Sequence, residues 1–520
     1  MYRRKKGLTQ EEIEKLLQDL ENEAFDDSDS ECEIDNDEGK EVSSFTEFQS
    51  VSEDVADKGQ NINEFHLEDI DINWVDPDIS MKTDIYSFKG TNALKGNAAE
   101  YSNEIDFFEC VFQMPLLDFI TLETNKYAEQ FFELTESVSK KAHSAKCKNV
   151  SASELRKFLA LTLLMGHIDK DSLKDYWSTD EMIETPFFGK AIARDRYLNI
   201  LRFLHFSDNK LAPNKEDPEY DRMWKIRNVF EILNSRFKEI YDPTEELAVD
   251  EVIVAFKGRV VFRQYIPKKR KRFGIKVYKL ADKNGYTFNM RVYLGKDKVL
   301  GDGEKCSAHR TVTGLVECVK GKGHKLFMDN FFSSPQLFLE LHRKYKINSC
   351  GTVRSNRKYY PKNLASPRMK KGECRELFSQ GMVATCWKDK REVFMLSNMR
   401  NPSREIETGS EKPDVIASYN ANMDYVDLSD RMANSYTFGR KTLKWTKKLF
   451  FHLLDLSILN AFILFKMKNP GIKHKNFRQN LIYQMVQRSF AEEPKVIADI
   501  LQKSYILIGQ TVPSFYSPDA

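Results

Sequence analysis

No Cys-x-x-Cys pair and no internal repeat occurs in the 520 residues, and the chain does not open on the apolar run of a signal peptide. The eight cysteines, Cys32, Cys110, Cys147, Cys306, Cys318, Cys350, Cys374 and Cys386, are scattered. That usage fits reduced thiols in a cytosolic or nuclear protein and argues against a disulfide framework. Cys306, His309, Cys318 and His324 are too irregularly spaced for a zinc site, so no zinc is expected. The first residues, MYRRKK, are basic instead of apolar. The most apolar later stretch, residues 449–465, carries His452, Asp455 and Asn460, which suits a buried helix better than a membrane span. Neither a membrane nor a small-molecule cofactor is expected as a partner.

Charge is present in quantity but unevenly placed. Residues 1–100 hold 27 acidic and 10 basic side chains, a net of −17, so the overall +2 leaves +19 on the remainder. An acidic tail joined to a basic body points to a polyanionic partner, and nucleic acid is the obvious one. Residues 8–24 have the pattern of one short helix, with Thr9 and Glu12 in capping positions. The acidic DDSDSECEIDNDEG that follows cannot bury enough apolar surface to order itself, and its Ser28 and Ser30 suit an acid-directed kinase. Residues 1–97 are therefore expected to be mostly disordered.

From 98 to 246 apolar residues recur three and four apart, the signature of helices. SASELRKFLALTLLMGHI opens on Ser151 and Glu154, a capping box, and ARDRYLNILRFLHF reads as a further helix. At Leu247 the pattern changes. LAVDEVIVAF is short and β-branched, and GIKVYKLADKNGYTFNMRVYL reads as two strands joined near Asn284-Gly285. A helix (TGLVECVKG), a strand ending at Asp329, a helix (SPQLFLELHRKY) and a strand (INSCGTV) follow. Three strands and then alternating helix and strand give an α/β fold of RNase H-like topology, a mixed sheet flanked by helices. This core is expected over 247–436, with a β-rich insertion at about 355–415. Helices are expected to resume at Asp424 and to form a second helical part over 437–510, before a tail at 511–520.

Three aspartates stand where a metal site would want them: Asp250 within the first core strand, Asp329 at the end of a later one, and Asp427 at a helix start. Carboxylates are the natural ligands of hard ions such as Mg²⁺. Two ions about 4 Å apart activate a water or a 3′-hydroxyl and stabilise the leaving oxygen of a phosphodiester. Spacing alone does not single these three out among 78 acidic residues. Lys268, Lys269, Arg270, Lys271 and Arg272 form a basic run, open to three readings: a grip on DNA phosphates, a nuclear localisation signal, or a solvated loop.

LAVDEVIVAFKGRVVFRQYIPKK with GIKVYKLAD, HKLFMDNFFSSPQLFLEL and YNANMDYVDLSDRM resemble, in order, the three catalytic blocks of the piggyBac transposase family. INSCGTVRSNRKYYPKNL and the helical segments LRKFLALTLLMGHI, LKDYWSTD and TPFFGKAIARDRYLNILRFLHFSDN are also similar to that family. The resemblance implies Asp250, Asp329 and Asp427 as ligands of Mg²⁺ or Mn²⁺, in a pair of ions, with Asp430 as a further functional aspartate. It places Arg354 and Arg357 in a DNA-contacting stretch, and the alternative is that they cap the strand end. It also implies a helical dimerisation and DNA-binding domain built from both flanks, action on double-stranded DNA with TTAA targets, a homodimer, and a nuclear location. Two departures bear on this. No cysteine follows Cys386, so the family's cysteine-rich zinc domain and its recognition of transposon ends are not expected. Asp424 and Tyr425 replace two glycines before Asp427, which predicts backbone strain if positive φ is needed there. The alternative function is a domesticated, transposon-derived DNA-binding protein or scaffold.

Overall fold

The computed structural model describes residues 72–78, 80–96, 100–135, 148–218, 220–267, 272–295, 307–365, 369–402, 412–438 and 442–508. The tail helix at 8–24, Ser28 and Ser30, and Lys268, Lys269, Arg270 and Lys271 lie outside them.

The helices before the sheet are α1 (Glu104–Val111), α2 (Met114–Thr135), α3 (Ala152–Met165), α4 (Pro186–Ala191), α5 (Arg194–Phe203) and α6 (Arg227–Glu239). The expected capping box starts α3: the Glu154 amide donates to Ser151 Oγ, and the Ser151 amide donates to the Glu154 carboxylate. Two helices from the far end of the chain complete this layer, α11 (Trp445–Lys468) and α12 (His474–Ile508). α12 packs on α3 and α1, and α11 packs on α1. α11 is long and apolar enough to cross a membrane, but 89% of its most apolar window is buried in this fold. Each fully buried Leu or Phe on it contributes about 1.5–3 kcal/mol. Asp455 on α11 is buried against the guanidinium of Arg478 on α12, 3.5 Å away.

The core is a mixed sheet. β1 (Glu246–Ala255) is flanked by antiparallel β3 (Phe273–Asp282) and parallel β5 (Lys325–Met328). β4 (Thr287–Val292) and the short β2 (Arg263–Tyr265) pair with β3, and β6 (Asn348–Thr352) lies parallel to β5. The order β4-β3-β1-β5-β6, with the first three antiparallel and the last two parallel, is the expected RNase H-like arrangement. Helices α7 (Ser307–Val316) and α8 (Pro335–Arg343) connect its later strands. The hairpin at Asn284-Gly285 forms as expected. Gly285 takes φ +81°, and Asp282 Oδ1 accepts the amides of Asn284 and Tyr286.

One feature extends the expectations and two differ from them. The β-rich insertion continues the main sheet: β9 (Glu392–Ser397) pairs antiparallel with β6, and β8 (Met382–Lys388) and β7 (Cys374–Ser379) follow outward. A helix, α9 (Asp414–Asn422), precedes the one at Asp424, which is α10 (Tyr425–Ala433). The boundary expected at residue 97 falls too late, because described residues between 72 and 96 already lie along the core. Val75 bridges to Phe378 and Leu94 to Tyr241. Between them, Asn348 exchanges two hydrogen bonds with the Tyr86 backbone, at 2.9 and 3.0 Å. The Thr91 amide and hydroxyl both donate to Asp242, at 2.8 and 3.0 Å. A strap of this kind needs no core of its own, because the main body supplies its backbone partners.

Candidate active site

β1 is buried along most of its length, yet Asp250 interrupts its apolar run and is half-buried. The β1–β5 register ends at Val249 opposite Met328, and the next residues are Asp250, still within β1, and Asp329, just past the end of β5. Strands in a sheet lie about 4.8 Å apart, and residues in register point to the same face. Two acidic residues from distant stretches of chain thus follow directly on a paired position of the sheet. Each is oriented by a local amide: Glu251 N–H donates to Asp250 Oδ1 at 2.7 Å, and Phe331 N–H donates to Asp329 Oδ1 at 2.9 Å.

The turn after Asp329 is braced on three sides. The Ser333 amide and hydroxyl donate to the Asp329 carbonyl, at 3.1 and 2.9 Å. Arg357 donates to the carbonyls of Asn330 and Phe331, at 2.5 and 3.1 Å. Gly351 on β6 leaves room for this turn: a Cβ there would fall 2.5 Å from the Met328 carbonyl oxygen and against Ser333 Oγ. Arg357 is therefore engaged with the Asp329 loop, whereas Arg354 and Arg272 are exposed.

Tyr419 of α9 lies near enough to feel the charge of both aspartates. Burial, with the charges of Asp329 and Asp250 adding to it, pushes the Tyr419 hydroxyl up to about 12. Its oxygen is 3.5 Å from Thr352 Oγ1, and Thr352 is the β6 residue one step past the Met328–Gly351 pair. Nothing in the sequence pattern singles out Tyr419, since its place over the strands depends on a helix that arrives after the insertion.

Asp427 and Asp430 stand on α10, which packs against β1 and β3 through Tyr425, Val426 and Ser429. Ser429 Oγ and Thr287 Oγ1 are hydrogen-bonded at 2.9 Å. Asp430 is half-buried beside that face and Asp427 is exposed. Among the described residues no three of His, Cys, Asp and Glu lie close enough together to hold a metal ion. The β1–β5 register leads Asp250 and Asp329 to neighbouring positions, and Asp427 stands exposed on α10. A two-carboxylate site still fits Mg²⁺, which takes one or two protein carboxylates and fills its shell with water and phosphate oxygens. The backbone strain anticipated before Asp427 is absent: Asp424 has φ −93°, and Tyr425 is the first residue of α10. A helix start accepts any side chain at these two positions. His309 is paired with Glu340 at 2.7 Å, and His324 Nδ1 lies 3.0 Å from the Thr244 carbonyl oxygen.

The family model described as Transposase IS4 matches residues 103–462, well over half of the chain. The chain belongs to the piggyBac-type transposase family. It is 25% identical over 389 residues to the human (Homo sapiens) PiggyBac transposable element-derived protein 2, a match covering 70% of this chain and 61% of that protein. It is 26% identical over 336 residues to the human PiggyBac transposable element-derived protein 3, covering 61% of this chain and 56% of that protein. The chain thus spans about three fifths of the length of these curated relatives. Its fold is that of a piggyBac transposase in a synaptic complex with hairpin DNA solved by cryo-electron microscopy. The TM-score is 0.70 and the identity 22%, over 82% of this chain and 90% of that one. The family generally works with divalent metal ions.

Proposed function

We propose that this member of the piggyBac-type family cuts and rejoins double-stranded DNA at transposon ends, with TTAA targets. The observation that carries the proposal is the β1–β5 register at the centre of the sheet, whose last pair, Val249 and Met328, directly precedes Asp250 and Asp329. These two would hold Mg²⁺ or Mn²⁺, with Asp427 joining from α10 once DNA is bound. An ion held there supplies charge stabilisation at the scissile phosphate and activates a water or 3′-hydroxyl. The chain's own part is orientation. The amides of Glu251 and Phe331 turn the carboxylates, and Arg357 and Ser333 fix the turn after Asp329. Exposed Arg354 and Arg272, with the basic run at 268–271, would meet the DNA backbone in salt-sensitive contacts. Work on chromosomal DNA implies a nuclear location, and a synapse of two ends suits a homodimer.

A second reading is a transposon-derived DNA-binding protein that no longer cuts. The exposure of Asp427 to solvent favours it. A hairpin-cleavage assay in Mg²⁺ or Mn²⁺ separates the two. The first reading expects product from the natural protein and none from Asp329→Ala. Equal product from both would remove the catalytic claim, and DNA binding without product from either would establish the second reading.

A further inference from the structure

β3 carries a lysine that the proposed reaction does not use. Lys279 is 0% exposed, and the residues on either side of it, Tyr278 and Leu280, are buried as well. In the antiparallel β1–β3 register it stands directly opposite Asp250. Directly opposed residues of an antiparallel pair share a face. Lys279 and Asp250 therefore share one face of the sheet, and the row is extended by Asp329 and Thr352, the residues that follow the paired Met328 and Gly351. The row ends in apolar side chains, with Met290 opposite Lys279 on β4 and Met395 opposite Thr352 on β9.

We infer that Lys279 is a built-in counter-charge to the carboxylate pair, a positioning residue that holds divalent-ion affinity low until DNA arrives. The inference rests on the reading of Asp250 and Asp329 as metal ligands. An ammonium fully removed from water is costly unless an opposite charge compensates it. Two carboxylates on adjacent strands repel each other in the same surroundings. Placing the lysine at the end of the row answers both problems, since it lowers the row from two net negative charges to one. A divalent ion approaching Asp250 then meets a fixed positive charge one strand away, in a medium where such repulsion is only weakly screened. Phosphate oxygens of bound DNA would offset that repulsion and complete the ion's shell.

The test is Mn²⁺ titration of the DNA-free full chain, followed by electron paramagnetic resonance, with thermal melts in chelator alongside. The natural protein is compared with D329N, K279M and K279Q, the last keeping hydrogen-bond donors without the charge. The inference expects Mn²⁺ binding that D329N weakens and that K279M and K279Q tighten by about tenfold or more. It also expects D250N to lower the metal-free Tm by stranding the lysine, and K279M/D250N to recover it. A side chain with a merely structural role would not tighten Mn²⁺ binding when removed. Asp329-dependent binding that K279M and K279Q leave unchanged or weaken overturns the inference and leaves the metal reading standing. Absence of Asp329-dependent binding in the natural protein and both lysine variants overturns the two together. Should K279M fail to fold, K279Q and the D250N melt decide between the same outcomes.

Discussion

Arg357 holds the carbonyl of Asn330, at 2.5 Å, and so grips the backbone immediately after Asp329. A side chain engaged in this way acts on the carboxylate's position. Arg357→Ala is expected to lower strand cleavage by about 10- to 100-fold, the cost of a small misplacement of a reacting group. DNA affinity and its salt slope should change little. Arg354→Ala should do the reverse, weakening binding and reducing the salt slope by about one phosphate contact. Cleavage rates and filter binding at several salt concentrations read both effects.

Gly351→Ala adds one methyl where the Met328 carbonyl and Ser333 Oγ already close in. The backbone at Met328 must move, and Asp329 is its next residue. Overpacking of this kind costs about 1–3 kcal/mol. Denaturant melts should show that loss, and cleavage should fall with it. The control Gly381→Ala, whose Cβ would meet nothing within 4 Å, carries only the strain of its φ of +79°.

Asp242 ties the strap to the core, and its titration gives that tie a pH limit. Burial alone would raise its pKa, but donation from the Lys322 ammonium and from the Thr91 amide and hydroxyl outweighs it and holds the group at about 2. A carboxyl depressed in the folded state contributes stability above its ordinary pKa of about 3.9 and loses it as pH falls through the folded value. Hydrogen-exchange protection at residues 83–95, relative to the intrinsic rate at each pH, should therefore fall between about pH 4 and pH 2. Asp242→Asn should show the lower protection already at neutral pH. Unchanged protection in the variant would mean that the backbone bridges alone hold the strap.

Asp455 and Arg478 form a buried pair between α11 and α12, with Arg478 also donating to the Tyr436 carbonyl at 2.9 Å. Removing one partner strands the other. Arg478→Met alone should cost about 3–5 kcal/mol, and Asp455→Leu combined with it should recover much of that loss. Denaturant unfolding of the single and double variants measures the coupling.

Sequence signals are legible where the physics is local. Ser151 and Glu154 cap the same helix turn, and Asn284-Gly285 closes a hairpin between strands that are consecutive in the chain. Asp250 stands out as an acid inside an apolar strand. Its neighbours do not. Lys279 looks like any strand lysine until the β1–β3 register puts it opposite Asp250. Tyr419 needs the whole insertion to be placed before it reaches Thr352. The strap leaves no local mark because its partners, Asn348 and Asp242, lie far along the chain, and the acidic composition before it suggests no order. Strain at Asp424 and Tyr425 would require a turn where the backbone instead enters a helix.

Because α12 completes a layer begun by α1 and α3, the front of this protein cannot finish before its end is made. A ribosome releases α3 more than 300 residues ahead of its partner at His474. During that interval the faces of α1 and α3 that α12 covers stay open. At about 5–20 residues per second the wait is tens of seconds, which makes the nascent chain a natural client for chaperones.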